Sequence, residues 1–129
     1  MHRLLSLIIL VLAIIDMVIG IGFFVNPAAS GKDFGLQSPG AMGLSAMRGD
    51  FTAFFLVAAG FMAAGALKRR GELLVPAFAL FAIAFTGRLV NLLAVGSYDG
   101  WWLPMSVEMA HIVVMGLAIR AWPWSASGG

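Results

Sequence analysis

The sequence predicts an all-α integral membrane protein, a bundle of four spanning helices. Three observations carry that expectation. The 129 residues are 61% hydrophobic and only 11% charged, whereas a soluble domain carries about a quarter charged residues because something has to face water. Mean hydropathy is +0.98. The apolar residues also fall into four long runs separated by polar or glycine-rich turns, each close to the ~20 residues that a helix needs to cross a bilayer. Charges too few to coat a globular surface leave lipid to solvate the rest.

The first span is expected over about residues 4–25. Leu4 to Val25 is interrupted only by Ser6 and Asp16, and a helix of about 22 residues rises about 33 Å. A signal peptide competes, with Arg3 ahead of the run and Ala28–Ala29–Ser30 behind it. A secretory core is about 7–15 residues, however, and this run is longer and holds an acid, so it reads as a retained helix. Asn26 followed by Pro27 offers a cap and then a proline at a first helical position, which predicts a short surface helix over Pro27 to Asp33 in the first outer loop. Gly35, Pro39 and Gly40 break the chain between that helix and the second span.

The second span is expected over about 47–67. Gly60 and Ala64, four apart, suit close helix packing in lipid, and Gly20 and Gly22 in the first span read the same way. Lys68–Arg69–Arg70–Gly71–Glu72 is a tight polar turn. The third span covers about 73–95, with Pro76 in its first turn, where a missing N–H does little harm. Gly96 to Gly100 is a turn cluster, and Pro104 opens the fourth span, about 104–121. Trp101 and Trp102 flank one membrane face, Trp122 and Trp124 the other. Arg3, Lys68, Arg69, Arg70 and Arg120 lie toward one face, and only Lys32 and Arg48 toward the other. The positive-inside rule therefore puts both termini in the cytoplasm. Residues 1–129 read as one domain, without repeats.

Several function classes fall away at once. Zero cysteines removes disulfides, thiol redox chemistry and thiolate ligands together. The pI near 9.7 accompanies a net charge of only +2, and the basic residues sit at helix ends rather than in a stripe, so nucleic acid is not an expected partner. Membrane lipids are.

The informative residues are ionisable groups that cannot avoid the membrane. A charge at mid-membrane costs roughly 2.5–3.5 kcal/mol on insertion scales, so each needs a reason. At helical rise, Asp16 lies about 13 Å and Arg88 about 10 Å below the outer ends of their helices. Glu108 and His111 fall in the outer half of the fourth span, and Arg48 and Asp50 where the second begins. All six occupy one depth zone, to which four helices contribute. Arg88 and Asn91, three apart, share a face continued inward by Ala84 and Phe81; Glu108 and His111 do likewise, continued by Met115. Arg48 and Asp50, two apart, cannot both point inward from a helix. Arg88 is expected to pair with Glu108 or Asp16. These charges read either as internal glue or as a ligand site made of Asp16, Arg48, Asp50, Arg88, Asn91, Glu108 and His111. His111 alone reads as a satisfied structural histidine, and Asp16 either as an arginine's partner or as a proton carrier.

No cofactor is expected. The acids and His111 have no metal-ligand spacing, a bis-histidine haem would need a second membrane histidine, and Phe78, Phe81 and Phe85 read as packing rather than as a cofactor box. No complete catalytic set is visible, which argues against an enzyme.

Pro27 after the first span, Phe34–Gly35–Leu36 before the second, Arg48–Gly49 entering it, Gly87–Arg88–Leu89 with Asn91, Asp99–Gly100 and Glu108 together resemble an uncharacterised bacterial family of four-helix membrane proteins, loosely DoxX-like. That resemblance implies a multi-pass protein of the bacterial inner membrane, with Arg48, Arg88, Asp99, Gly100 and Glu108 as the positions of interest, and implies little about activity. The residues themselves suggest three roles. The first is binding of a small amphipathic molecule or lipid in an outer-half polar pocket, Arg88 gripping its anionic or carbonyl group. The others are a proton-coupled transporter acting as a homodimer, and an accessory subunit docked on a larger membrane protein partner through small residues of the second span.

Overall fold

A computed structural model describes residues 1–37 and 40–124. Helix α1 spans His2–Val25 and α2 Pro27–Asp33. Helix α3 runs over Ala41–Lys68, α4 over Gly71–Ala94 and α5 over Trp102–Ala121. The described residues contain no strand. Four of these helices, all but α2, are long and apolar enough to cross a membrane. Their outward faces fit that setting: Leu4, Leu7, Val11, Ile14 and Val18 of α1 are each more than half exposed, which lipid tolerates and water does not.

The helix limits reflect local chemistry. Asn26 accepts a hydrogen bond from the Ala29 N–H through Oδ1 at 3.2 Å, and Pro27 occupies the first turn of α2. This is the short helix read from the sequence. Gly35 closes it at φ +72°, a left-handed conformation open to glycine at no steric cost. Pro39, expected to break the chain here, lies outside the described residues. The second span starts earlier than expected: α3 begins at Ala41 and passes through one π turn over Met47–Phe51 before continuing as a regular α-helix. Arg69, at φ 49°, ends α3. The first turn of α4, Gly71–Leu74, is 3-10, and Arg70 and Glu72 form an ion pair in the connecting turn.

Along α1 the buried positions are Leu5, Ile9, Ala13, Asp16, Gly20 and Phe23, steps of three and four that make one stripe. Helix α5 buries Met105, Glu108, His111, Met115 and Ala118 in the same rhythm. Neighbours in the ring run α1–α3–α4–α5 and back to α1. An apolar core of Leu5, Ile9, Ala13, Ala58, Met62, Leu74, Ala77, Phe81, Met115 and Ala118 fills the half nearest the termini. A smaller cluster of Phe23, Met47 and Phe55 fills the other half, where Phe23 stacks on Phe51 with centroids 5.0 Å apart.

At one end of the bundle the N-terminus, the 68–72 turn and the chain after α5 meet. The Trp122 indole donates to His2 Nδ1 at 3.0 Å, and the Gly71 N–H donates to the Pro123 carbonyl at 3.1 Å. Trp122 departs from its expected interfacial position: it is buried among the helices at 3% exposure, whereas Trp124, Trp101 and Trp102 remain exposed.

Close approach is supplied by Gly20, as expected, and by Gly65 rather than Gly60. Gly20 faces Leu56 and Phe55, and a Cβ there would lie 2.8 Å from Leu56 Cδ2. At Gly65 a Cβ would collide with the side chain of Leu74, which is fully buried and has nowhere to go. Gly60 instead points outward into open space. Gly65→Ala is therefore expected to lower stability by about 1–3 kcal/mol through overpacking, while Gly60→Ala changes it by no more than about 1 kcal/mol. Unfolding in detergent followed by circular dichroism checks both.

Candidate functional site

Two polar pairs lie between the two apolar clusters, and both use α5. His111 is wholly buried and Asp16 is 2% exposed. His111 Nε2 lies 2.9 Å from Asp16 Oδ2, and Nδ1 lies 2.8 Å from the Val107 carbonyl one turn back on its own helix. The Phe81 ring stacks on the imidazole, centroids 4.0 Å apart at 24°, and Phe54 packs edge-on against Phe81. This pair joins α1 to α5 under an aromatic cover.

The hydrogen-bond pattern fixes the charge of the pair. A carbonyl oxygen can only accept, so Nδ1 carries a hydrogen. The close approach of Nε2 to a carboxylate oxygen needs one proton between them, on the ring or on the acid. Imidazolium with carboxylate and imidazole with carboxylic acid both sum to zero. A neutral, doubly hydrogen-bonded pair is the form in which these groups are least costly to bury.

The second pair joins α4 to α5. Arg88 Nε lies 2.8 Å from Glu108 Oε1, the arginine side chain 34% exposed and the glutamate 9%. Glu108 and His111 are three residues apart on one face of α5, so the two pairs occupy adjacent turns of the same helix. The terminal nitrogens of Arg88 form no hydrogen bond among the described residues.

Arg88 also lines a cavity of about 370 Å³ at the α4–α5 corner, together with Ala84, Gly87, Asn91 and Leu92 of α4, Tyr98 and Trp101 of the turn, and Met105 of α5. Gly87 leaves room there, since a Cβ at this position would touch nothing within 4 Å. The side chains of Asn91, Tyr98 and Trp101 have no hydrogen-bond partner among the described residues. Sequence reasoning missed Tyr98 and Trp101. Their signal is position: both lie just beyond the end of the helix whose last turns carry Arg88 and Asn91.

Four of the seven sequence candidates thus meet as two pairs, Asp16 with His111 and Arg88 with Glu108, and Asn91 shares the cavity with Arg88. Three helices build this assembly rather than four. Arg48 lies elsewhere: its Nε donates to the Phe24 carbonyl at the end of α1 at 2.9 Å, tying α3 to α1 beside a second hollow of about 480 Å³ lined by Phe24, Ala41, Leu44, Ser45, Arg48 and Gly49. Asp50, in the π turn, is exposed and has no partner among the described residues. No three acids or histidines among the described residues converge as metal ligands would.

No family model, curated protein or solved structure matches the chain. Geometry therefore carries the functional reading.

Replacing Asp16 separates its charge from its hydrogen bond. In Asp16→Asn the amide N–H can donate to Nε2 while Nδ1 keeps its hydrogen on Val107, so the cost is about 1 kcal/mol. Asp16→Ala leaves the buried Nε2 without a partner and is expected to cost about 3–5 kcal/mol. Chemical unfolding in detergent ranks the two variants.

Proposed function

We propose that this chain is a four-span membrane protein, both termini cytoplasmic, that holds a small amphipathic molecule in the cavity at the α4–α5 corner. The observation that carries the reading is Arg88. Glu108 holds it at 2.8 Å through Nε, while its side chain, a third exposed, lines a cavity of about 370 Å³, within the ~300–1,000 Å³ usual for small-molecule sites. Ala84, Leu92 and Met105 give that wall an apolar stretch, and Asn91, Tyr98 and Trp101 add polar tips. A head group with hydrogen-bond acceptors meets Arg88 and Asn91, and its apolar part lies along the rest.

Membrane insertion is supported by the four apolar helices and their outward apolar side chains. The orientation is supported by the gathering of Arg3, Lys68, Arg69, Arg70 and Arg120 at the end where both termini meet. Placement in a bacterial inner membrane, and kinship with the loosely DoxX-like family, belong to the same proposal and rest on the sequence resemblance. An accessory-subunit role is the second reading, favoured by Gly60, which faces outward with open space about it as a helix-docking position would.

Gly87→Leu tests the main reading without touching the ion pair, because the added side chain enters open space. Native mass spectrometry of gently purified protein is expected to show a co-purifying molecule on the wild type and none on Gly87→Leu, with thermal stability retained. A bare wild-type protein, or a molecule retained equally by the variant, would count against the cavity as its site.

A further inference from the structure

We propose that the head group held at Arg88 is uncharged and rich in hydrogen-bond acceptors, such as an ester or amide carbonyl, and is not a carboxylate or phosphate. This rests on the cavity reading above and narrows its ligand class. Charge balance favours a neutral group. Among the described residues Arg88 is the only cation on the cavity wall, and Glu108 already offsets its charge at 2.8 Å. The next pair inward, His111 with Asp16, sums to zero by its hydrogen bonds. Asp99, beside Tyr98 in the turn, adds a negative charge on the same corner. An anion entering here finds no uncompensated positive charge and stands close to the Glu108 carboxylate, an arrangement that costs more the less water is present.

The donors on the cavity wall favour the same class. The terminal nitrogens of Arg88 and the Trp101 indole can only donate, and Asn91 and Tyr98 can donate as well as accept. All four side chains line the cavity, and these groups make no hydrogen bond among the described residues. Neutral carbonyl oxygens satisfy such donors without adding charge.

A matched pair of probes tests this: a monoacylglycerol and a fatty acid with the same acyl chain, titrated into the purified protein at a pH where the acid is ionised, and read by native mass spectrometry. The wild type is expected to bind the monoacylglycerol about tenfold or more tighter, and Gly87→Leu to lose that binding. Glu108→Gln, which leaves Arg88 uncompensated, is expected to move the preference toward the fatty acid, with thermal unfolding confirming that the variant is folded. Tighter fatty-acid binding by the wild type, abolished by Gly87→Leu, would overturn the head-group assignment and leave the cavity reading standing. Binding of neither probe, or binding indifferent to Gly87→Leu, would overturn both. If Glu108→Gln fails to fold, the wild-type preference and the Gly87→Leu loss decide the question alone.

Discussion

An aspartate and a histidine buried in an apolar bundle have to satisfy each other, and that constraint organises the structure. Asp16 and His111 lie in the buried stripes of α1 and α5, helices at opposite ends of the chain. Unpaired, each group would cost several kcal/mol to bury. Paired, they fix which faces of the two helices meet and at what height, because a hydrogen bond of 2.9 Å tolerates little sliding. The Val107 carbonyl and the Phe81 ring then complete the surroundings of the imidazole, and Phe81 brings α4 into the same register.

The Arg88–Glu108 pair extends that register one turn further along α5. Its consequence is different, because Arg88 is a third exposed. The inner pair closes on itself, whereas the outer pair leaves its arginine on the wall of a cavity. Depth therefore separates a closed pair from one that borders a cavity along a single helix face. Apolar packing supplies the rest: Gly20 and Gly65 let α1, α3 and α4 approach closely, and the Phe23, Phe51 and Phe55 rings stack where α1 meets α3.

Much of this is readable from the chain. Apolar run length gives four helices long enough to cross a membrane, and Asn26–Pro27 gives the α2 cap. Counting helical rise places Asp16, Arg88, Glu108 and His111 at one height, and spacing by threes puts Glu108 and His111 on one face. Which helices adjoin is not written in local periodicity, so the sequence does not reveal His111 as the partner of Asp16. Arg48 and Asp50 escape the scheme for a definite reason. The π turn over Met47–Phe51 inserts an extra residue into the helical repeat, which changes the face each later side chain presents, and no residue type marks such a turn. The outward Gly60 shows that a small residue suits close packing without saying which face packs. Gly65 could have been picked out, since it continues the stripe of Ala58 and Met62.

The Asp16–His111 contact ties α1 to α5 energetically if breaking either partner removes the same interaction. A double-mutant cycle with Asp16→Ala, His111→Ala and the double variant, measured by chemical unfolding in detergent, tests it most directly. The second substitution is expected to cost far less once the first is made, with a coupling of about 2–3 kcal/mol. Costs that add to within about 0.5 kcal/mol would contradict it.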